Sequence, residues 1–425
     1  MAVATSGEFV QLGPGTASDR ETYDILILDG TYKQSLTAAR SLGQAGLRVA
    51  LGESSSQYHP DRGAAAWRSR YCARAVVLPD YNSDQAAYVD AVVAFVREHR
   101  IKVVLPAGDA NIVMLAPHRQ RFADLHCTLA VASDSAFEIA NDKVRTLEVA
   151  DKLGIAYPKS IPVTGPADLR GVEAEFGYPF VLKPTISWTG EAADRVAPIE
   201  VVNDAEAEVA TERYLATGCE VLAQQWVPGR REGVTLLIVD GEVLGICGAV
   251  AHRTVPPLGG ISVMRESIAV PEDILDESIS LAKTIGIEGP CEVEWRRDAD
   301  GRPLLMEVNA RLAGTLENAN RSGVDFPLLV WQWATGQPIQ PMLTYRVGVR
   351  TRWISGDLQW LRANIKNPGR PDTMSVPRAI CTVLRDFFRT RHYDYLDRSD
   401  IWPALGELLP KRMLSKRRWP MAYKD

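Results

Sequence analysis

Residues Cys291–Arg311 read CEVEWRRDADGRPLLMEVNAR, two short apolar runs joined by Asp298-Ala299-Asp300-Gly301. The turn chemistry of that tetrapeptide between alternating segments predicts a β-hairpin. Side chains alternate faces along a strand, so Cys291, Val293 and Trp295 are expected on one face and Glu292 and Glu294 on the other. On the return strand Leu305, Glu307 and Asn309 are expected to share a face. The hairpin can then bring Glu294, Glu307 and Asn309 to one point. Two carboxylates and an amide oxygen suit a hard cation such as Mg²⁺. Arg311, two residues on, stands where a fixed cation could meet a phosphate. Taken alone, the same residues would also make a solvated acidic hairpin.

The chain has 425 residues, enough for two or three domains. Its apolar fraction of 46% and charged fraction of 24% are those of a globular protein, and its net charge of −5 argues against general nucleic-acid binding. No apolar run reaches the length of a membrane span. The first residues lack the basic start and apolar core of a signal peptide and read as a flexible leader. Six cysteines without CxxC spacing read as reduced thiols, and six scattered histidines offer no zinc-ligand spacing. No Ser/His/Asp triad or nucleophilic cysteine is suggested. The last 17 residues, LPKRMLSKRRWPMAYKD, carry six Lys and Arg against one Asp. They form a basic tail that reads as a solvated end, or as a contact for an acidic membrane surface or acidic partner.

From Tyr23 the chain alternates strand and helix patterns: YDILILDG, a helix through Leu36, Ala39 and Leu42, RVALGES, AVVLP, the helix AYVDAVVAFVREH, KVVLPAGD, a helix over 111–122, and TLAVAS. That alternation predicts a doubly wound parallel sheet. Asp29–Gly30 is not part of a GxGxxG, so no dinucleotide site is expected, though Gly108–Asp109 at a strand's carboxyl end could touch a substrate. Beyond Ser133, Asp142 reads as the cap of a helix closed at Gly154. Lys183 is embedded in the apolar strand YPFVLKP, where an unpartnered charge would be costly. Asp240–Gly241 predicts a second hairpin, and 272–286 an amphipathic helix.

Together these features resemble the ATP-grasp superfamily, in particular its carbamoyl-phosphate synthetase-like branch of carboxylate–amine ligases. The resemblance rests on Glu294 with Glu307-x-Asn309-x-Arg311, on Asp142-Lys143 opening a helix, on Lys183 before Pro184, on VLAQQWVPGR, and on Arg352, Trp353, Gly356 and Asp357. It covers roughly residues 23–361. It implies that Glu294, Glu307 and Asn309 hold Mg²⁺, with Mn²⁺ also possible, and that Lys143 and Lys183 reach the ATP phosphates. Gln225, Trp226 and Val227 would form the adenine hinge, through the Gln225 carbonyl and the Val227 N–H, and Glu232 would take the ribose hydroxyls. Arg311 and Arg265 would stabilise the transferred phosphoryl group. The loop after Lys183 keeps only Gly190 where the family carries several glycines, a departure that would pass its phosphate contacts to Ser187, Thr189 or Arg195.

The expected fold is α/β: a leader (1–22), an N-terminal doubly wound sheet (23–132), a two-lobed α+β ATP-grasp domain (133–345) and a helical C-terminal extension (346–425). The expected activity is ATP-dependent activation of a carboxylate as an acyl phosphate, with ADP formed, and its capture by an amine. The alternatives are a bicarbonate-using carbamoyl-phosphate or carboxylase-type enzyme and a non-catalytic nucleotide-binding protein. Small-molecule carboxylate and amine substrates, a cytoplasmic location and a possible homo-oligomer complete the reading.

Overall fold

The structure is a computed structural model describing residues 21–57, 64–186, 188, 198–257 and 259–408. The chain divides into two compact units. The first runs to Ala130 and takes in Trp331–Gln337 and the stretch from Tyr395; the second comprises Val131–Val330 and Pro338–Asp394.

In the first unit the order is β1 (Ile25–Ile27), α1 (Lys33–Gln44), β2 (Val49–Ser54), β3 (Cys72–Leu78), α2 (Gln85–His99), β4 (Val103–Leu105), α3 (Asp109–Leu115), α4 (Arg119–Ala123) and β5 (Thr128–Leu129). All pairings are parallel, in the order β3-β2-β1-β4-β5. β1 and β4 are fully buried, as expected of strands covered on both faces. The helix expected over 111–122 is divided into α3 and α4. Pro117 has no N–H to give to a continuing helix, and a short 3₁₀ turn replaces it. At the carboxyl end of β1, Asp29 adopts a left-handed φ of 58°. Its carboxylate accepts from the N–H groups of Ala107 (3.1 Å) and Gly108 (2.8 Å) and from Asn111 Nδ2 (2.7 Å). Gly108 is thus engaged in holding the sheet end together. The stretch from Tyr395 is tied in by buried Asp400, which accepts from Arg40 Nε (3.0 Å), Ser69 Oγ (2.7 Å) and the Arg70 N–H (2.9 Å).

The second unit opens with α5 (Asp134–Asn141) and α6 (Lys143–Lys152). Asp142 caps α6, accepting from the N–H groups of Val144 and Arg145. A small lobe follows: β6 (Ser160–Val163), α7 (Leu169–Phe176), β7 (Phe180–Pro184), β8 (Ile199–Val201), α8 (Asp204–Leu215) and β9 (Val221–Gln225). Its antiparallel sheet, ordered β6-β9-β7-β8, buries Val172, Phe180, Leu182, Tyr214 and Ala223 in one cluster. The large lobe contains β10 (Arg231–Val239), β11 (Glu242–Val255), β12 (Ile261–Ile268), α9 (Glu272–Ile285), β13 (Gly289–Arg297), β14 (Pro303–Asn309), α10 (Leu316–Ser322), β15 (Arg350–Arg352), α12 (Ile354–Lys366), α13 (Val376–Arg389) and β16 (His392–Tyr393). Between α10 and β15 lies α11 (Phe326–Ala334), and α14 (Trp402–Leu408) belongs to the first unit. The large sheet is ordered β14-β13-β10-β11-β12-β15-β16. The region expected to be a helical extension therefore also supplies two strands to this sheet. Asp240 and Gly241, with φ of 52° and 74°, make the tight turn between β10 and β11. α9 covers one face of the sheet, where fully buried Trp295 donates from Nε1 to Ser278 Oγ at 2.9 Å.

Candidate active site

The β13–β14 hairpin closes as its sequence predicts. Asp298 and Arg302 exchange a backbone bond across the turn, the Asp298 side chain accepts from the N–H groups of Asp300 and Arg302, and Gly301 has a φ of 83°. The ladder sets Glu294 directly opposite Glu307 and Glu292 opposite Asn309. One expectation is corrected. The register slips between Glu294 and Trp295, so Leu305 stands opposite Trp295 and is fully buried instead of sharing the Glu307 face. The bulge at Met306 supplies this change of phase: Leu305 enters the core while Glu307 stays beside Glu294.

Around the two glutamates the chain gathers cations. Arg231 on β10 lies opposite Arg296 in the ladder, next to the Gly233–Glu294 pair, and its Nη1 is 3.1 Å from Glu294 Oε2. Gly233 keeps the floor open, because a Cβ there would come within 3.0 Å of Glu292 Oε1. Glu292 accepts from Thr315 Oγ1 at 2.8 Å. Lys143, at the first turn of α6, lines one small crevice with Glu307 and Thr146. Its N–H is held by the Thr185 carbonyl at 2.9 Å, and a bridge pairs Asp142 with Ile186. The capped helix is thereby fastened to the strand that carries Lys183. Lys183 is 6% exposed and donates to Gln224 Oε1 at 2.8 Å, and Gln224 Nε2 donates to Ser160 Oγ at 3.0 Å. Asn309 Nδ2 lies 3.3 Å from Glu307 Oε1, and Arg311 Nη2 donates to Asn309 Oδ1 at 2.9 Å.

The electrostatics follow from burial and crowding. Burial pushes the Lys183 pKa down to about 7, with Lys143 adding and Glu307 and Glu294 opposing. Burial pushes Glu294 up to about 8, with Arg231 opposing and Glu307 and Glu292 adding. Burial acts the same way on Glu307, but Lys143 and Lys183 outweigh it and hold that carboxyl below its ordinary value. For Arg231, burial is outweighed by Glu294, Glu292 and Glu307, which hold the guanidinium above its ordinary value. Acidic and basic groups are thus close together in a dry setting, where Coulombic terms are large.

Two expected residues fall elsewhere. Glu232 alternates with Arg231 and therefore sits on the opposite face, opposite Trp295, where Arg297 Nε donates to its Oε2 at 3.0 Å. Strand alternation thus turns it away from the face that carries Glu294. Arg265 shares the site's face by register, through Ala251, but it is fully buried, ion-paired with Asp394, and donates to the Ser262 carbonyl at 3.1 Å. Its charge is committed inside the fold. At the hinge, the Gln225 N–H donates to the Lys159 carbonyl (2.9 Å), and the Val227 carbonyl accepts from Arg296 Nη1 (2.9 Å). Trp226 Nε1 is buried without a hydrogen-bond partner among the described residues. Ser187, Thr189, Gly190 and Arg195 lie outside the described residues. Sequence reading missed Arg231, Gln224 and Glu292. The signal for Arg231 was present, since it keeps the parity that places a β10 side chain beside Glu294.

The small and large lobes together bring these residues to one convergent face in the second unit. Residues 224–356 match a family described as ATP-grasp in the biosynthetic pathway with Ter operon. The chain is 25% identical over 226 residues to a D-alanine–D-alanine ligase of Ectopseudomonas mendocina, a match covering 46% of this chain and 64% of that protein. It is 23% identical over 272 residues to the carbamoyl phosphate synthase large chain of Clostridium acetobutylicum, covering 61% of this chain and 24% of that one. The chain thus spans under two-thirds of the length of these relatives. The crystal structure of an L-amino acid ligase from Bacillus licheniformis superposes with a TM-score of 0.56 at 20% identity, covering 76% of each chain. The family match is confined to residues 224–356, and the likeness to the ligase structure is one of fold.

The residues present fit the divalent ion that this resemblance implies. Glu294 and Glu307 face one another across the ladder, Asn309 extends the same face, and all three offer oxygen ligands. Among the described residues no group of three or more His, Cys, Asp or Glu is arranged as a metal site.

Proposed function

We propose that the protein is an ATP-dependent ligase that activates a substrate carboxylate as an acyl phosphate and joins it to an amine. The observation that carries this reading is the convergence of Glu294, Glu307 and Asn309 with Lys143, Lys183 and Arg311 on one partly dry face. Lys183 and Lys143 bind and orient the polyphosphate. A phosphate group beside Lys183 favours its charged form, so binding draws a proton onto Nζ. Gln225, Trp226 and Val227 offer the backbone edge against which the adenine packs. Glu294, Glu307 and Asn309 would hold Mg²⁺, which would supply charge neutralisation at the phosphate oxygens.

In the first step the substrate carboxylate oxygen bonds to the γ-phosphorus and the bond to the ADP oxygen breaks. Arg311, oriented by Asn309, stabilises charge on the transferring group. In the second, the amine attacks the acyl carbon, sheds a proton and expels phosphate. Arg231 holds Glu294 in place from the neighbouring strand.

The test combines ATP, magnesium, hydroxylamine and a panel of carboxylates. The expected outcome is a hydroxamate formed together with ADP and phosphate, and its loss, on the order of a hundredfold or more, in Glu307→Gln. AMP and pyrophosphate would point to adenylation. A stable phosphorylated alcohol would point to a kinase, and turnover with bicarbonate alone to a carbamoyl-phosphate type of reaction. Each of these outcomes overturns the ligase reading.

A further inference from the structure

Helix α13, VPRAICTVLRDFFR, has its apolar side turned away from the protein. Only Ala379 and Asp386 are buried on it, and Asp386 faces inward to Arg253. Ile380, Leu384, Phe387 and Phe388 recur at i, i+4, i+7 and i+8, one helical stripe, and are 43%, 57%, 56% and 84% exposed. Core packing does not account for four large side chains left in solvent along one line, two of them adjacent phenylalanines. α12, which packs against α13, repeats the pattern with Leu358 and Ile365 exposed at 50% and 51%.

The charge around this stripe is one-sided. Arg378, Arg385, Arg389 and Arg391 are exposed beside it on α13 and just after it, and Arg362 and Lys366 are exposed on α12. The three acidic residues of the segment 354–391 are all engaged: Asp357 with Arg253, Asp386 with Arg253 and Arg385, and Asp372 with Arg296. A chain of net charge −5 therefore carries a concentrated positive, apolar face here.

We propose that α13, supported by α12, is an interfacial helix that docks the protein on an anionic lipid surface. Ile380, Leu384, Phe387 and Phe388 enter the headgroup boundary while the arginines meet lipid phosphates and carboxylates. Two other occupants fit the charge poorly. A second copy would set arginine rows of one sign against each other, and the basic tail of this chain would add its own positive charge to them. The linear stripe on a helix surface suits a fluid interface that accepts any side-chain spacing. None of the described helices is long and apolar enough to cross a membrane, so the contact is peripheral.

The test is flotation of the full-length protein with vesicles of phosphatidylcholine alone and of phosphatidylcholine with about one-third phosphatidylserine. The expected result is binding to the anionic vesicles only, weakened by salt. The pairs Phe387→Ser/Phe388→Ser and Arg378→Glu/Arg389→Glu should each lower the bound fraction on the order of tenfold, with melting temperature unchanged. Equal binding of wild type and both pairs would assign any vesicle binding to another part of the chain and overturn the proposal. So would absence of binding to both vesicles, or equal binding to both. Retention on polyglutamate with the same sensitivity to the variants, without vesicle binding, would replace lipid by an acidic protein partner. A dimer in light scattering that the phenylalanine pair abolishes would replace it by a second copy.

Discussion

At the scale of single residues, the site is decided by which face a side chain takes. Arg231 and Glu232 are neighbours, yet one is 3.1 Å from Glu294 and the other is bonded to Arg297 on the far side of the sheet. A pattern reading that counts positions from a hinge is vulnerable to this, because a shift of one residue reverses the face. Lys183 was legible for a different reason. A lysine in an apolar strand must be satisfied, and it is, by Gln224 on the adjacent strand. On the proposed role of Lys183 at the polyphosphate, Lys183→Ala should weaken ATP binding by about 2–3 kcal/mol. Titration calorimetry checks this. Unchanged affinity with a normal melting curve would make Lys183 a purely structural residue.

At the scale of elements, the β13–β14 hairpin is a two-sided device. One side carries Glu292, Glu294, Glu307 and Asn309; the other carries Cys291, Val293 and Trp295 into the core beneath α9. The bulge at Met306 lets a single strand serve both sides by moving Leu305 out of phase. Turn, strands and carboxylates were readable from local chemistry, but the bulge was not, because it depends on how β14 seats against the rest of the unit. Leu305 gives its N–H to the Ala156 carbonyl, a contact that no window around the hairpin contains. Trp295 anchors the device from below through Ser278. Trp295→Ala should destabilise the second unit by about 3–5 kcal/mol, measurable by denaturant unfolding. A loss below about 1 kcal/mol would mean that α9 does not depend on this contact.

At the scale of the whole molecule, every residue expected to hold nucleotide or metal belongs to the second unit, and the first carries its own buried charge. Glu53 accepts from the Thr31 N–H (2.9 Å), Thr31 Oγ1 (2.8 Å) and the Ser54 N–H (2.9 Å), and Asp29 holds the end of β1. Burial, with Asp29 adding, raises the Glu53 pKa from 4.5 to about 7. Burial raises that of Asp29 from 3.8 to about 6. A folded-state pKa above the unfolded one means the folded unit keeps a proton that the unfolded chain has released. The stabilising contribution is therefore complete below pH 4 and is lost as pH rises through 6 and 7. Amide exchange of β1 and β2, corrected for intrinsic rates, should show the opening free energy falling by about 1–3 kcal/mol between pH 5 and pH 8. A flat profile would show that the hydrogen bonds keep both carboxylates ionised throughout.

The sequence by itself determined the strand–helix alternation of the first unit, both glycine turns, the Asp142 cap, and the grouping of Glu294, Glu307 and Asn309. Each is written in residues close together in the chain, where period, turn chemistry and capping act locally. Only the tertiary structure decided that Arg231 and not Glu232 faces Glu294, that Arg265 is spent on Asp394, that β15 and β16 complete the large sheet, and that residues from Tyr395 return to the first unit through Asp400 and Arg40. These depend on register and on pairings between segments far apart in the chain. There the outcome turns on which buried charge meets its partner in a distant segment, which no local pattern encodes.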